Sequence, residues 1–318
     1  MVAHASVIGA IGGTPSVWLD RLCAAAGVEG RILAKMDYLN PGFSKKDRAA
    51  LGILDAAASS GDLTSGQAVV ELTSGNMGTG LAIICAVRGH PFVAVMSEGN
   101  STERARMMRA LGAEVVLVPQ APGGVPGQVT GADLALVETR AQEITTERGA
   151  FRADQFNHPG NAMAHETGTG PELWDDSDGS LTAFVDFAGS GGTYAGTIRA
   201  LKARGDVRGY LLEPDGAAVL SGGAAAHPDH PIQGGGYAMP DLAHMAGAPV
   251  DGYLSVSGDA ARQVARDLAR VEGVFAGFSA GANAAAALDL LRGPEKGGTI
   301  GIVLCDSGLK YLSTDLWP

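Results

Sequence analysis

The chain has 318 residues, of which 46% are hydrophobic and 18% are charged, and its formal net charge is −11. This composition predicts a globular protein with an ample core, organised as one large domain or two of moderate size. The acidic excess, with no basic stripe in the sequence, argues against nucleic acid or an anionic membrane as the main partner.

The three cysteines, Cys23, Cys85 and Cys305, lie far apart and form no CxxC pair. They predict neither a disulfide framework nor a zinc site, and the histidines show no metal-binding spacing, so we expect no metal. The N-terminus lacks a basic region ahead of an apolar core, and no apolar run is long enough to span a bilayer. We infer a cytoplasmic protein.

Short apolar runs alternate with helical patterns along most of the chain. The runs predict strands at 31–36, 68–72, 92–96, 115–118, 151–156, 182–187, 209–212 and 299–304. The helical patterns fall at 17–26, 44–60, 76–88, 100–111, 132–148, 193–204, 259–271 and 280–291. This alternation indicates parallel βαβ units and hence an α/β fold. Two glycine- and proline-containing stretches, 120–131 and 214–239, interrupt it and predict loops.

The turn Asn40-Pro41-Gly42 opens into the helix predicted at 44–60, which places Lys45 and Lys46 at the start of that helix. The helix dipole disfavours cations there, and burial lowers the pKa of a lysine further. These are the conditions under which an amine acts as a nucleophile or forms a Schiff base. A solvated basic turn balanced by Asp47 is the alternative. A serine acyl-transfer pair, Ser44 with Lys46, is disfavoured because the other motifs of those enzymes are missing.

The segment Gly189-Ser190-Gly191-Gly192-Thr193 follows the predicted strand 182–187 and opens a helix. Glycines let backbone N–H groups converge on a phosphate at the positive end of a helix, with two hydroxyl groups at hand. A dinucleotide-binding turn is the alternative, with Glu213 at the end of the next strand. The G-x-G-x-x-G spacing is matched poorly, because Tyr194 occupies its last position.

The segment Thr73-Ser74-Gly75-Asn76 also joins a predicted strand to a helix, so it forms another helix start suited to an anion. A plain helix cap by Ser74 is the alternative.

Several segments, in this order, resemble motifs of the cysteine synthase family, which includes O-acetylserine sulfhydrylase and cystathionine β-synthase. The segments are Ile11-Gly12-Gly13-Thr14-Pro15, Ser44-x-Lys46-Asp47-Arg48, Thr73-Ser74-Gly75-Asn76, Gly189-Ser190-Gly191-Gly192-Thr193, Cys305-Asp306-Ser307-Gly308 and Tyr311-Leu312-Ser313-Thr314. The resemblance implies pyridoxal 5′-phosphate (PLP) as the cofactor. It also implies fold type II, the fold of the tryptophan synthase β subunit.

In that fold, two three-layer αβα domains with mostly parallel, twisted sheets hold PLP in the cleft between them. The resemblance therefore implies a smaller, mobile domain at 41–150. A larger PLP-phosphate-binding domain would consist of 1–40 together with 151–318. The resemblance further implies a homodimer.

The resemblance also implies a role for each motif around the cofactor. Lys46 would carry PLP and later act as a base, although Lys45 stands where the family usually has Val or Phe. The residues Gly189, Ser190, Gly191, Gly192 and Thr193 would bind the phosphate, and Asn76 the ring hydroxyl. Ser307 would face the pyridine nitrogen, where a neutral hydroxyl favours loss of a β-substituent over transamination or racemisation. Asp306 is the rival for that position, because a carboxylate would protonate the ring.

The substrate would lie against Thr73, Ser74 and Gly75, which are implied to grip its α-carboxylate. Gln155 matches a family glutamine near the same carboxylate. Met77 stands where the family normally has Thr, next to the bound amino acid.

These roles together predict PLP-dependent β-replacement on an O-activated, serine-like amino acid through an α-aminoacrylate intermediate. Sulfide or another small nucleophile would be the acceptor, as in a cysteine synthase. The first alternative is β-elimination, as in a cysteine desulfhydrase or a serine/threonine dehydratase. The others are a dinucleotide-dependent oxidoreductase, which would rest on the glycine loop and Glu213, and a PLP-binding regulatory protein without turnover.

Overall fold

The computed structural model describes residues 3–124, 129–226 and 230–317. Parts of the two predicted loops, residues 125–128 and 227–229, lie outside the described residues. Within the described ranges the strands are β1 (Ser16–Trp18), β2 (Arg31–Lys35), β3 (Val69–Leu72), β4 (Phe92–Ser97), β5 (Glu114–Val118), β6 (Phe151–Arg152), β7 (Ala183–Phe187), β8 (Arg208–Pro214), β9 (Gly252–Val256) and β10 (Thr299–Val303).

The α-helices of the same ranges are α1 (Asp20–Ala26), α2 (Lys46–Ser60), α3 (Asn76–Arg88), α4 (Thr102–Ala110), α5 (Gly131–Arg148), α6 (Gly160–Ala164), α7 (Gly170–Asp176), α8 (Gly192–Lys202), α9 (Gly258–Asp267) and α10 (Phe278–Arg292). A π-helical segment, His165–Thr169, joins α6 to α7. A turn of 3₁₀ helix, Gly308–Tyr311, follows β10.

The strands form two sheets. The larger sheet has the order β1-β2-β10-β7-β8-β9, in which β1 runs antiparallel to β2 and the other pairs are parallel. The smaller sheet has the order β5-β4-β3-β6 and is parallel throughout. The predicted α/β class is therefore confirmed. The domain boundaries near residues 41 and 150 stay a prediction, although β1 and β2 do lie in the larger sheet.

The central strands are buried on both faces, which explains their nearly continuous apolar sequences. Every residue of β3, β4 and β7 is buried. Two acidic residues interrupt these strands, Glu71 in β3 and Asp186 in β7, and both are almost fully buried. Because an isolated buried carboxylate is costly, each needs a cation. Glu71 pairs with Arg152, and Asp186 pairs with Lys45.

The structure differs from the expected elements mainly at the edges of the larger sheet. The predicted helix at 17–26 begins only at Asp20, because Ser16–Trp18 pairs with β2 instead. Strand β9 was not predicted, and its alternating burial suits an edge strand. The helices between residues 160 and 176 were not predicted either. The strand expected at 151–156 is confined to Phe151–Arg152.

Three loops that carry predicted site residues follow the carboxyl ends of parallel strands. Residues 73–76 follow β3, residues 189–191 follow β7, and residues 304–307 follow β10. Ligands of open α/β sheets bind at this end of the strands. Among the described residues, no helix combines the length and the apolar character needed to cross a membrane.

Candidate active site

Lys46 is the first residue of α2, and the turn before it is fixed by the segment after β10. The Lys45 N–H donates to the Cys305 carbonyl at 2.8 Å, and the Ser307 N–H donates to the Phe43 carbonyl at 3.1 Å. Phe43 has a φ of 61°, which a non-glycine residue adopts only under constraint. A side chain at Gly42 would meet the Asp47 carboxylate at 2.4 Å, so that position requires glycine. These contacts, together with the glycine at position 42, hold Lys46 in one place.

A pocket lies around the Lys46 side chain; with the open solvent at its mouth included, its volume is about 440 Å³. Its wall is formed by the lysine turn, the glycine loop and the starts of two further helices. The lining residues are Lys45, Lys46, Asn76, Asp186, Phe187, Gly189, Ser190, Gly191, Thr193, Gln233, Gly234, Ser279 and Cys305. The structure therefore brings Lys46, Asn76 and most of the glycine loop together, as the sequence predicted.

The glycine loop wraps the start of α8 closely. Gly191 has a φ of 82°, and a Cβ at Gly192 would lie 2.3 Å from the Asn161 side-chain oxygen. The Asn161 amide donates to the Ser190 hydroxyl at 2.9 Å, and Lys46 Nζ lies 3.4 Å from the same hydroxyl. The start of an 11-residue helix thus lies at the pocket wall beside the Ser190 and Thr193 hydroxyl groups.

The two adjacent lysines have opposite electrostatic environments. Burial, and then the neighbouring Lys45 ammonium, lowers the pKa of Lys46 to about 8. Burial also acts to lower the pKa of Lys45, but the Asp186 carboxylate outweighs it and the pKa of Lys45 ends above its ordinary value. Lys45 Nζ lies 2.8 Å from both Asp186 oxygens. Lys46 is therefore the more readily deprotonated amine, and Lys45 is held as a cation.

Asn76, the first residue of α3, is oriented by the segment after β10. Its amide donates to Asp306 Oδ2 at 2.8 Å, and the same oxygen accepts the Tyr311 hydroxyl at 2.7 Å. Asp306 is buried but is absent from the pocket wall, so the carboxylate that rivalled Ser307 acts through Asn76.

Ser307 is turned away from the pocket. Its backbone bridges Ala276, and its hydroxyl accepts the Leu309 N–H at 3.3 Å to cap the 3₁₀ turn. Ser279, in the first turn of α10, lies on the wall in its place. The sequence motifs name Ser307 and not Ser279 for this site, whereas in the structure Ser279 lines the pocket and Ser307 does not.

None of the five residues predicted to contact substrate lines this pocket. The Thr73 hydroxyl accepts the N–H groups of Gly75 and Gly78, both at 2.9 Å, and Gln155 donates to the Leu72 carbonyl at 3.1 Å. Ser74 lies 3.3 Å from the Tyr237 hydroxyl. Thr73 and Gln155 thus brace the loop 73–76 from behind, and the substrate roles of all five residues stay predictions.

Met77 is 2% exposed and packs in the core of the smaller sheet with Met96, Met108 and Leu81. A thioether there fills a space between helices. The structure thus gives the departure from Thr a packing explanation.

The pocket also contains groups that the sequence analysis missed or set aside. Asp186 was missed, although a charged residue inside the apolar run Phe184–Phe187 is a visible signal. Cys305 received no role in the site from its sequence. Burial raises the pKa of its thiol to about 12, and the residue lines the pocket. Asn161 gave no local signal, because it reaches the glycine loop from another helix.

The chain is similar to known proteins in sequence and in fold. The sequence model of the family described as "Pyridoxal-phosphate dependent enzyme" matches residues 7–306. Cysteine synthase of Staphylococcus aureus is 36% identical over 310 residues, covering 96% of this chain and 95% of that protein. The O-acetylserine-dependent cystathionine beta-synthase of Helicobacter pylori superposes with a TM-score of 0.89 at 30% identity, covering 100% of both chains. An O-ureido-L-serine synthase superposes with a TM-score of 0.85 at 35% identity, covering 99% of this chain and 95% of that one.

Proposed function

This chain belongs to the family of pyridoxal-phosphate-dependent enzymes, and we propose from that premise that it catalyses β-replacement on an O-activated, serine-like amino acid, in the manner of a cysteine synthase. The observation that carries the proposal is the meeting of Lys46 and the glycine loop 189–193 on one pocket wall. The two lie about 140 residues apart in the sequence, so their meeting is a property of the fold.

The residues of the pocket fit PLP. An aldehyde needs an amine that is deprotonated near neutral pH, and the pKa of Lys46 is lowered to about 8 by burial and by Lys45. A phosphate needs converging N–H groups and hydroxyl donors, which the start of α8, Ser190 and Thr193 provide. The tight packing of Gly192 against Asn161 leaves no room for a side chain in that cradle. We assign Lys46 and the loop 189–193 to the cofactor on these grounds.

PLP, when bound, supplies an electron sink for the negative charge that develops at the substrate α-carbon. Lys46 Nζ would hold the cofactor and, once released from it, remove the proton from that carbon. A lowered pKa suits both tasks, because a base works best when its pKa lies near the working pH. Ser279 would offer a neutral hydroxyl to the ring, and Asn76 an oriented amide.

The loop 73–76 would bind the substrate carboxylate at the start of α3. The positive end of the α3 dipole lies there, although the Thr73 hydroxyl already accepts the Gly75 and Gly78 N–H groups. The Ser74 hydroxyl lies beside Tyr237. Arg104 donates to the Ser74 carbonyl at 2.7 Å and so holds the loop in shape. This assignment rests on the helix start and the hydroxyl group that the loop offers, and on its position after β3.

The relatives named above favour replacement over elimination, because each is named as a synthase. Their names differ in the compound made, so they single out no acceptor for this chain. We propose sulfide as the first acceptor to test, since the curated relative is a cysteine synthase.

The test is to supply the purified protein with PLP, then with O-acetylserine and sulfide, and to measure cysteine. We expect visible absorbance from bound PLP, cysteine formation, and loss of both in Lys46→Ala. Pyruvate and ammonia without a new amino acid would replace the proposal with elimination. A protein that takes up no PLP would overturn the cofactor assignment itself.

A further inference from the structure

A buried ion pair lies directly beside Lys46. Lys45 and Asp186 are both almost fully buried, and Lys45 Nζ contacts both carboxylate oxygens at 2.8 Å. Lys45 belongs to the turn that carries Lys46, whereas Asp186 lies in β7, three residues before Gly189. The pair therefore connects the two parts of the chain that the proposed cofactor would have to bridge.

Asp186 is in turn anchored to the elements behind it. Asn283, in α10, donates to Asp186 Oδ1 at 3.1 Å and to the Val303 carbonyl at 2.9 Å. The Cys305 thiol lies 3.9 Å from the same carboxylate oxygen. Removing one partner of such a buried pair leaves an uncompensated charge, which acts strongly on the groups next to it.

Few other groups around Lys46 carry an unmatched charge. Burial lowers the pKa of His165 and His244, which keeps both neutral, and burial raises the pKa of the Cys305 thiol to about 12. Glu71 approaches from β3 but is held by Arg152. Among the described residues, the charges that act most directly on the Lys46 amine are therefore those of Lys45 and Asp186.

We propose that Lys45, through its ion pair with Asp186, is a positioning residue that holds Lys46 against the glycine loop and sets the charge that the Lys46 amine experiences. The inference rests on the proposed role of Lys46 as the reacting amine. It gives a physical reason for a lysine at a position where the resemblance led us to expect an apolar residue.

Lys45 and Asp186 shift the pKa of Lys46 in opposite directions. Lys45→Gln removes the positive charge and keeps a donor for Asp186, so the pKa of Lys46 rises. Asp186→Asn removes the negative charge and leaves the Lys45 ammonium, so the pKa of Lys46 falls. A pair that served packing alone would give no such change of sign.

The experiment measures the titration of Lys46 itself in the full-length protein freed of cofactor. Trace acetylation with acetic anhydride at a series of pH values, followed by peptide mass spectrometry, gives the fraction of free amine at Lys46. Lys296, whose side chain is 61% exposed, is the internal reference. The readout needs neither bound PLP nor turnover, so it remains valid even where the proposed reaction fails.

We expect the Lys46 midpoint to rise by about one unit in Lys45→Gln and to fall in Asp186→Asn, with Lys296 unchanged. If Lys45→Gln does not fold, the double variant with Asp186→Asn leaves no unpaired charge and is compared with Asp186→Asn alone. Its midpoint should lie about one unit higher, because the two proteins differ only by the Lys45 charge. Midpoints that stay within about 0.3 unit of each other, or that move in the same direction in both single variants, overturn the proposal.

Discussion

The ammonium of Lys310 lies 2.6 Å from the side-chain oxygen of Asn76, although 234 residues separate them. The same ammonium donates to the Gly42 carbonyl at 2.8 Å. One lysine therefore connects the turn before Lys46 to the start of α3. It also decides which way the Asn76 amide faces, because the oxygen of that amide must point toward the ammonium.

Lys310→Met should weaken PLP binding about tenfold, the effect of losing roughly one charged hydrogen bond. Asn76 would keep its place in α3 but lose its fixed orientation. Fluorescence titration of cofactor-free protein with PLP measures the change, and Lys296→Met, at an exposed lysine, is the matched control. Equal affinity in Lys310→Met and the parent would show that Asn76 needs no such support.

Gly192→Ala should lower PLP affinity by tenfold or more on the same order-of-magnitude scale. The added Cβ would lie 2.3 Å from the Asn161 oxygen, so either Asn161 or the loop must move, and Ser190 would move with it. Gly131→Ala is the control, because Gly131 also lies at the start of a helix, α5. The nearest atom to its added Cβ would be 4.0 Å away. Titration with inorganic phosphate separates a damaged phosphate cradle from a general loss of binding.

Ser279→Ala and Ser307→Ala should have different effects. Ser279 lines the pocket, so its loss should alter the absorbance spectrum of bound PLP and reduce turnover. Ser307 caps a short helix, so its loss should lower the free energy of unfolding by about 1 kcal/mol and leave the spectrum unchanged. Absorbance spectra and urea unfolding of both variants distinguish the two roles. A spectral change confined to Ser307→Ala would restore Ser307 as the hydroxyl that faces the pyridine nitrogen.

Lys46→Met should raise the free energy of unfolding of the cofactor-free protein near neutral pH by about 3 kcal/mol. The pKa of Lys46 is lowered to about 8 by burial and by Lys45, whereas an unfolded lysine titrates near 10.4. Below pH 8 both states are charged and the folded state bears the full cost of burial. Between about pH 8 and pH 10 the unfolded state binds more protons, so the stability contributed by this position rises with pH.

The increase in the free energy of unfolding caused by Lys46→Met should therefore be largest below pH 8 and vanish above about pH 10. Urea unfolding of both proteins across this range measures it. A gain that does not depend on pH would mean that Lys46 carries no buried charge.

Much of this site could be predicted from local sequence. The glycine loop, the lysine turn and the loop 73–76 each follow an apolar run, and the ends of parallel strands bring such loops together. Their motifs resemble those of the cysteine synthase family, and the matches to the family model and the curated relative confirm that family.

What could not be predicted are the partners that meet only in the folded chain. Asp186 and Lys45 are 141 residues apart, and Asn161 of α6 meets Ser190 of the glycine loop. From the sequence, Ser307 is weighed only against Asp306, and the presence of Ser279 on the pocket wall is visible only in the folded chain. The short edge strand β1 was mistaken for helix because its pairing with β2 outweighs local preference.

The backbone bonds that join Lys45 to Cys305 and Phe43 to Ser307 make the position of Lys46 depend on a segment synthesised about 260 residues after it. A ribosome-bound chain that has not yet released residue 305 has its lysine but lacks these two backbone bonds, which fix the turn around it. Cofactor capture must then be a late event of biogenesis, and in refolding it should report the docking of the last strand rather than the formation of helix α2.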